Sequence, residues 1–219
     1  MKDYVLHFEA SIRKAVNAFA GSIAPQARIL DAGAGELQYA PAFPHTRYTA
    51  VDLGIGDAQW DYGKLDAIAD LRALPFPDRT FAAALNIVTL EHVTEPAQVM
   101  SELARVLCPG GRLLLVVPHE WEVHQHPHDY FRYTRYGCAL LLEQAGLDVT
   151  SIEPVGGYFR LLSRRLLTGY KFFPFPLAVA WLCVAAIPAL LLPLLDRLDR
   201  RKDFTLGYIC IAQRPFERQ

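Results

Sequence analysis

Arg-Ile-Leu-Asp-Ala-Gly-Ala-Gly-Glu, residues 28–36, is the segment that decides the fold of this 219-residue chain. A short apolar run ends in Asp31, and two glycines, Gly33 and Gly35, follow at alternate positions. This pattern is typical of a buried parallel strand that ends in a tight turn and opens a helix. The glycines would let the backbone come close to a ligand, with the helix N-terminus just behind them.

A second acid extends this interpretation from a turn to a binding site. Asp52 lies 21 residues after Asp31, at the end of a second strand-like run over residues 48–51. An acid at that position can accept hydrogen bonds from both hydroxyls of a ribose. The two acids and the two glycines predict a nucleoside-containing cofactor at the carboxyl edge of a parallel sheet.

The segments that follow argue against a dinucleotide fingerprint, because Gln38 replaces the third glycine of Gly-x-Gly-x-x-Gly. Other motifs follow in order: Asp70-Leu71, a turn at 74–78, a strand at 81–87, a helix at about 96–107 and an apolar strand at 112–117. This series resembles the class I S-adenosylmethionine-dependent methyltransferases, close to the type 11 group. The resemblance covers roughly residues 26–153 and the last strand.

The resemblance implies S-adenosylmethionine as the cofactor and assigns a set of residues to it. The matching positions are Asp31, Gly33, Gly35, Asp52, Asp70, Leu71, Asn86 and Val88. The first three lie against the methionine part in that family, and the next acid holds the ribose. Asp70 accepts from the adenine amino group, Leu71 packs near the ring, and the last two line the pocket after the fourth strand. Leu37 departs from the family, which often has a third glycine there.

Each of these positions also has a structural interpretation. An acid after a buried strand can cap a helix, and Asp70 can be a turn acid. Asn86 can bond to backbone at the end of its strand. Glu91-His92 can open a helix without a chemical role.

The predicted fold class is α/β: a Rossmann-like, seven-stranded, mostly parallel sheet with helices on both faces. By the resemblance, the last strand is antiparallel and inserted beside strand six. The predicted elements are helices at about 4–20, 96–107 and 134–145 and strands at about 28–31, 48–52, 67–69, 81–87, 112–117, 147–153 and 204–212. Residues 1–153 and 204–219 form the predicted methyltransferase domain, and residues 154–203 form an apolar and basic helical insertion.

Composition limits the partners and the compartment. The chain has 22 basic and 23 acidic residues, so no excess of positive charge favours nucleic-acid binding. The four cysteines are scattered along the sequence and form no closely spaced pair, which predicts reduced thiols in a cytoplasmic protein. The first 20 residues read as an amphipathic helix with charged positions, which does not match a secretory signal.

The insertion contains 24 consecutive uncharged residues, Phe172–Leu195, which is long enough for a transmembrane helix. One crossing would place the last strand on the far side of the bilayer from the sheet in which it pairs. The segment therefore reads as a monotopic leaflet anchor, as an apolar lid or dimer surface, or as an ordinary buried subdomain. Its prolines, at 174, 176, 188 and 193, predict several short helices.

Basic residues flank this segment and favour the inner face of a membrane. Arg160, Arg164, Arg165 and Lys171 precede it, so residues 158–202 form a candidate membrane-contact region. An enzyme with such a surface beside its pocket would act on an apolar or lipid-linked acceptor. The expected location is cytoplasmic; a peripheral position on the inner membrane face and an oligomer through the apolar surface both stay open.

A histidine-rich loop follows the fifth strand and supplies the candidate catalytic residues. Its histidines are His119, His124, His126 and His128. Pro127 bends the path and no carboxylate at helical spacing completes a ligand set, so no metal is predicted. One histidine would act as general base, in the order His128, His119, His126, with Asp129 orienting a histidine or holding the acceptor.

The loop also contains candidate pocket walls, Tyr130 and Tyr133, and Arg132 as a contact for an anionic group such as a phosphate. Residues 127–134 resemble a stretch found in a subset of type 11 methyltransferases associated with glycan or cell-envelope pathways. The predicted reaction is methyl transfer to a small molecule, with the hydroxyl of an apolar, lipid-linked or glycan-type acceptor ranked first. The alternatives are a catalytically silent scaffold or membrane adaptor, and an NAD(P)-dependent oxidoreductase.

Overall fold

The computed structural model describes residues 6–56 and 59–216 and contains the predicted seven-stranded sheet. The strands are β1 (Arg28–Ala32), β2 (Arg47–Asp52), β3 (Ala67–Ile68), β4 (Phe81–Ile87), β5 (Leu107–Pro118), β6 (Asp148–Pro154) and β7 (Gly207–Gln213). Their order across the sheet is β3-β2-β1-β4-β5-β7-β6. β7 runs antiparallel to both β5 and β6, and the other pairs are parallel. The predicted fold class is therefore confirmed, including the inserted antiparallel strand.

Helices cover both faces of the sheet. They are α1 (His7–Gly21), α2 (Pro96–Val106), α3 (Arg135–Gln144), α4 (Tyr158–Thr168) and α5 (Phe175–Leu191). α1 buries Phe8, Ile12, Val16 and Phe19 in a core with Leu85 and Val116 of the sheet. α2 and α3 bury Val99, Leu103 and Leu142 in the core on the opposite face. Tyr4, the predicted start of the first helix, lies outside the described residues.

One element predicted after β1 is wrong: no α-helix begins behind the glycine turn within residues 33–46. The chain instead forms turns and a 3₁₀ helix, Ala40–Ala42. Gly33, Gly35 and Leu37 all have positive φ angles, 90°, 50° and 60°. These left-handed residues prevent a right-handed helix from starting there. Leu37 adopts this conformation at a cost of about 1–2 kcal/mol, because a β-carbon crowds the following carbonyl.

The insertion between β6 and β7 is built on α4 and α5. Ser163 Oγ donates to the carbonyl of Ala189 at 2.5 Å, and Trp181 Nε1 donates to that of Leu166 at 2.8 Å. The prediction that the prolines divide the apolar segment into short helices is wrong at Pro188, which lies inside α5. Since only three residues of the helix follow it, this proline removes one backbone hydrogen bond without ending the helix.

Two acids from the end of the insertion hold the start of α4. The Asp196 carboxylate accepts from the backbone amides of Gly157 at 3.1 Å and Arg160 at 3.2 Å. Asp199 accepts from the amide of Tyr158 at 2.8 Å. Both carboxylates satisfy amides that have no partner within the helix, and their charge complements the helix dipole.

We expect Asp196→Ala to lower the free energy of unfolding by about 1–2 kcal/mol, since it removes a helix-capping carboxylate that is 8% exposed. Urea denaturation followed by circular dichroism measures this loss. Asp203→Ala is the matched control, because that exposed carboxylate pairs with Arg135 at the surface. Equal midpoints for the two variants would contradict the capping role.

Candidate functional site

A cavity of about 760 Å³ lies at the carboxyl ends of β1, β2 and β4. In an open parallel sheet this edge is where ligands bind. The predicted site residues that line it are Gly33, Gly35, Asp52, Asp70, Leu71, Val88 and His128. Asp31, Asn86, His119, His126 and Asp129 are not among its lining residues.

Asp52 fixes the turn after β1. One carboxylate oxygen accepts from the Gly35 amide at 3.0 Å, and the other accepts from the Gly54 amide at 2.9 Å. The Gly33 amide donates to the carbonyl of Val51 at 2.8 Å. Each carboxylate oxygen keeps a second lone pair, so Asp52 can still accept hydrogen bonds from a ligand in the cavity.

The two glycines of the turn lie where a side chain would collide. A β-carbon on Gly33 would come within 2.3 Å of the Thr89 side chain, and one on Gly35 within 3.0 Å of the Trp60 ring. Trp60 itself lines the cavity. The close approach therefore shapes a narrow wall at the end of β1; the approach of this backbone to a ligand stays a prediction.

Asp31 lies behind this wall and is 1% exposed. Tyr48 donates its hydroxyl proton to one carboxylate oxygen, while the other oxygen has no hydrogen-bond partner. Burial raises the pKa of Asp31 to about 7; the Tyr48 bond opposes this rise, and the charge of Asp52 adds to it. The carboxyl is thus poised to change charge near neutral pH.

Asn86 is held by the scaffold. It is fully buried and donates from Nδ2 to the carbonyl of Ala32 at 2.8 Å, which links β4 to the end of β1. Its predicted cofactor contact is not supported by this placement. Val88, in contrast, lines the cavity and has a φ of 51°.

Asp70 and Leu71 lie together on the cavity wall. The Asp70 carboxylate accepts from Arg72 Nε at 3.0 Å and from its terminal nitrogen at 2.7 Å. These bonds hold the pKa of Asp70 below its usual range, so the acid is a permanent acceptor. Leu71 is 5% exposed and offers an apolar surface beside it.

The structure brings only one of the three predicted bases to the cavity. His128 lines it, with Nδ1 3.0 Å from the Tyr130 hydroxyl. His119 Nδ1 lies 2.8 Å from the carbonyl of Tyr133, and its ring contacts Tyr208. His126 is exposed at the surface of the loop. Neither placement matches a base inside the cavity, because both side chains lie away from its wall.

Asp129 organises the histidine-rich loop. Its carboxylate accepts from two Arg132 nitrogens at 2.7 and 2.8 Å and from the His124 amide at 2.8 Å. The Arg132 guanidinium holds the pKa of Asp129 well below its usual range. Asp129 thus contacts His124, and its two predicted roles, orienting a histidine or holding the acceptor, stay predictions.

Sequence reasoning missed a cluster of Glu91, His92 and His124. The two histidines line the cavity, and Glu91 is fully buried. One ligand atom from each of these residues lies within 4.8 Å of the other two. Burial raises the pKa of Glu91 to about 8 and lowers that of His92. In the sequence, the only sign of this cluster was the adjacent pair Glu91-His92, which the structure places in the 3₁₀ turn Leu90–His92. The residues around this pair do not indicate that it lies beside His124.

Part of the chain is similar in sequence to known methyltransferases. Residues 30–115 match the family model of the type 11 methyltransferase domain. A demethylmenaquinone methyltransferase of Renibacterium salmoninarum is 33% identical over 97 residues, 42% of this chain and 41% of the relative. The chain spans less than half the length of the first curated relatives that it matches, between 24% and 41%.

Solved structures show the same fold at low identity. A 1,6-didemethyltoxoflavin N1-methyltransferase of Burkholderia thailandensis, with bound S-adenosylhomocysteine, has a TM-score of 0.58 and 17% identity, covering 98% of this chain and 84% of that one. The [4+2]-cyclase SpnF has a TM-score of 0.59 and 21% identity, covering 94% and 81%. Residues 30–115 thus match a methyltransferase domain, and the chain shares the fold of these structures.

We expect the unfolding free energy of the ligand-free protein to fall as the pH rises from about 4 to 7, through the contribution of Asp31. In this window the folded carboxyl keeps its proton while the unfolded one, with a pKa near 4, loses it. Folding therefore becomes less favourable, by on the order of a few kcal/mol.

Asp31→Asn should flatten this part of the stability profile, and chemical denaturation at several pH values measures the slope. Asp148→Asn, which removes an exposed carboxyl at the start of β6, is the control and should keep the wild-type slope. An unchanged slope in Asp31→Asn would contradict the raised pKa.

Proposed function

We propose that this protein transfers a methyl group from S-adenosylmethionine to a small molecule bound in the same cavity. The observation that carries the proposal is that the methyltransferase-domain match and the cavity coincide at the turn after β1. When bound, the cofactor supplies an electrophilic methyl group on a sulfonium. The chain then needs to hold the two partners in line, which can contribute about 7–11 kcal/mol to catalysis.

The residues at the glycine turn fit the cofactor. The free lone pairs of Asp52 are acceptors on the cavity wall, and the cofactor has two ribose hydroxyls to donate to them. Asp70 and Leu71 offer an acceptor and an apolar surface for the adenine. The positive charge of the sulfonium also suits a cavity that is lined by the carboxylates of Asp52 and Asp70.

The other end of the cavity is suited to the acceptor. Trp121, His124, His128 and Tyr130 line it. With Nδ1 in contact with the Tyr130 hydroxyl, His128 is the best-placed group to take a proton from an acceptor hydroxyl, our first choice of acceptor atom. A positioned base of this kind contributes roughly 10²–10⁴-fold to the rate.

The insertion contacts the acceptor end through Trp121. The Arg164 guanidinium of α4 lies 3.7 Å from the centre of the Trp121 ring, which also packs on Phe8. Arg165 pairs with Glu122 at 3.2 Å, beside the same tryptophan. This continuity between an apolar insertion and the cavity wall supports an apolar or lipid-linked acceptor. No residue of the insertion lines the cavity itself, so a lid that directly covers the site gains no support.

We further propose that α5 rests in one leaflet of a membrane. The helical stretch Phe175–Arg197 is apolar and long enough to cross a bilayer, and little of it is buried inside the protein. Because β7 returns to the sheet between β5 and β6, a single crossing is incompatible with the fold. The apolar surface carries this proposal, since Arg160, Arg165 and Lys171 all have acidic partners.

We expect Asp52→Asn to weaken binding of S-adenosylhomocysteine about 10–100-fold, since it removes charge-assisted hydrogen bonds of about 1.5–3 kcal/mol. Isothermal calorimetry measures the dissociation constant. Asp78→Asn, a surface carboxylate that pairs with Arg105 at 2.7 Å, is the control. An affinity equal to wild type in Asp52→Asn would remove the cofactor assignment.

We expect His128→Ala to reduce turnover about 10²–10⁴-fold while the affinity for S-adenosylhomocysteine stays unchanged. Transfer of labelled methyl groups into a lipid extract measures turnover. Cofactor binding with no transfer by the wild type would favour the silent scaffold over the enzyme.

We expect the double variant Val184→Asp, Ile187→Asp to lose binding to phosphatidylcholine vesicles in flotation assays. Both side chains are more than two-thirds exposed on α5, and charges there oppose insertion into the leaflet. Tyr136→Asp alters an equally exposed aromatic on α3 and is the control. The wild type could instead fail to bind vesicles and form a dimer that the double variant abolishes. That result would assign α5 to self-association.

A further inference from the structure

The cluster of Glu91, His92 and His124 is not a closed hydrogen-bond network. Both Glu91 carboxylate oxygens and His92 Nε2 are buried and have no hydrogen-bond partner. The distance between His92 Nε2 and a Glu91 oxygen, 3.8 Å, is too long for a hydrogen bond. Buried acceptors left unpaired in this way cost free energy, and a bound cation would remove that cost.

Contacts at the other ring nitrogens direct the lone pairs of both histidines. His92 Nδ1 lies 2.6 Å from the carbonyl of His128. His124 Nδ1 lies 3.1 Å from the carbonyl of Glu122 and 3.4 Å from the Asp129 carboxylate. Carbonyl and carboxylate oxygens only accept, so each Nδ1 bears the proton and each Nε2 keeps its lone pair. Histidines that bind metals are oriented in the same way.

We propose that Glu91, His92 and His124 bind one zinc ion in the wall of the cavity. Two imidazoles and one carboxylate are a ligand set that zinc takes at sites with an open fourth position. Tetrahedral coordination separates the ligand atoms by roughly 3.3 Å. The 3.8 Å between His92 and Glu91 would therefore shorten by about half an ångström.

The open position would face the acceptor end of the cavity. His92 and His124 line the same wall as His128 and Tyr130. A zinc ion there would take an oxygen ligand, such as a hydroxyl or phenol of the acceptor, and would stabilise its deprotonated form. Metal binding itself does not depend on the proposed methyl transfer, so the two proposals can fail separately.

The test is a titration of chelator-treated protein with zinc alone, in competition with a chromophoric chelator. We expect one ion per wild-type chain and an affinity lower by roughly 100-fold or more in Glu91→Gln and His124→Ala, since each removes one of three ligands. His126→Ala, an exposed histidine of the same loop, is the control and should keep the wild-type affinity. Thermal denaturation with and without zinc follows the same variants, and circular dichroism verifies that each one folds.

Cobalt(II) gives a second readout, because a tetrahedral site with nitrogen and oxygen ligands produces visible absorption that His124→Ala should abolish. Failure of the wild type to bind zinc would overturn the proposal. So would equal affinities in wild type, Glu91→Gln and His124→Ala, or an equal loss in His126→Ala, which would indicate adventitious binding to loop histidines. Since His124 is on a partly exposed loop, its variant remains informative even if Glu91→Gln does not fold.

Discussion

The hydrogen bonds from the Gly35 and Gly54 amides to the two oxygens of Asp52 are the constraint on which the rest of the site depends. They fix the ends of β1 and β2 relative to each other while the intervening chain passes through left-handed conformations. The resulting turn places Gly33 and Gly35 on the cavity wall, and a side chain at Gly33 would collide with Thr89. A single carboxylate thereby shapes the cavity and contributes an acceptor to it.

The acceptor end of the cavity depends on a different feature, the hydrogen-bond network around Asp129. This carboxylate bonds to Arg132 and to the backbone of His124, and it thereby holds an irregular loop in one conformation. Tyr133 secures the end of the loop by donating its hydroxyl to the carbonyl of Leu90. The histidines that line the cavity are therefore presented by side-chain contacts, whereas the cofactor end is presented by the sheet.

This difference between the two ends of the cavity explains which site residues could be predicted from the sequence. Strand ends carry local signals, so Gly33, Gly35, Asp52, Asp70 and Leu71 could be placed at one edge from spacing and family resemblance. The helix expected after β1 failed because the left-handed residue Leu37 gives no signal in its side-chain type. Glu91 and His124 are 33 residues apart, and only the folded loop brings them together. For the same reason, the sequence offered His119 and His126 as candidate bases alongside His128, although only His128 of these three lines the cavity.

The place of β7 between β5 and β6 has a consequence for synthesis. This strand follows the apolar segment in the chain, and domains are built from the N-terminus during translation. The sheet therefore keeps a gap, with two unpaired strand edges, until the whole apolar segment has left the ribosome. During that interval the nascent chain exposes both the unpaired strand edges and the apolar segment. A chaperone or a lipid surface would then have the greatest effect on whether the chain folds or aggregates.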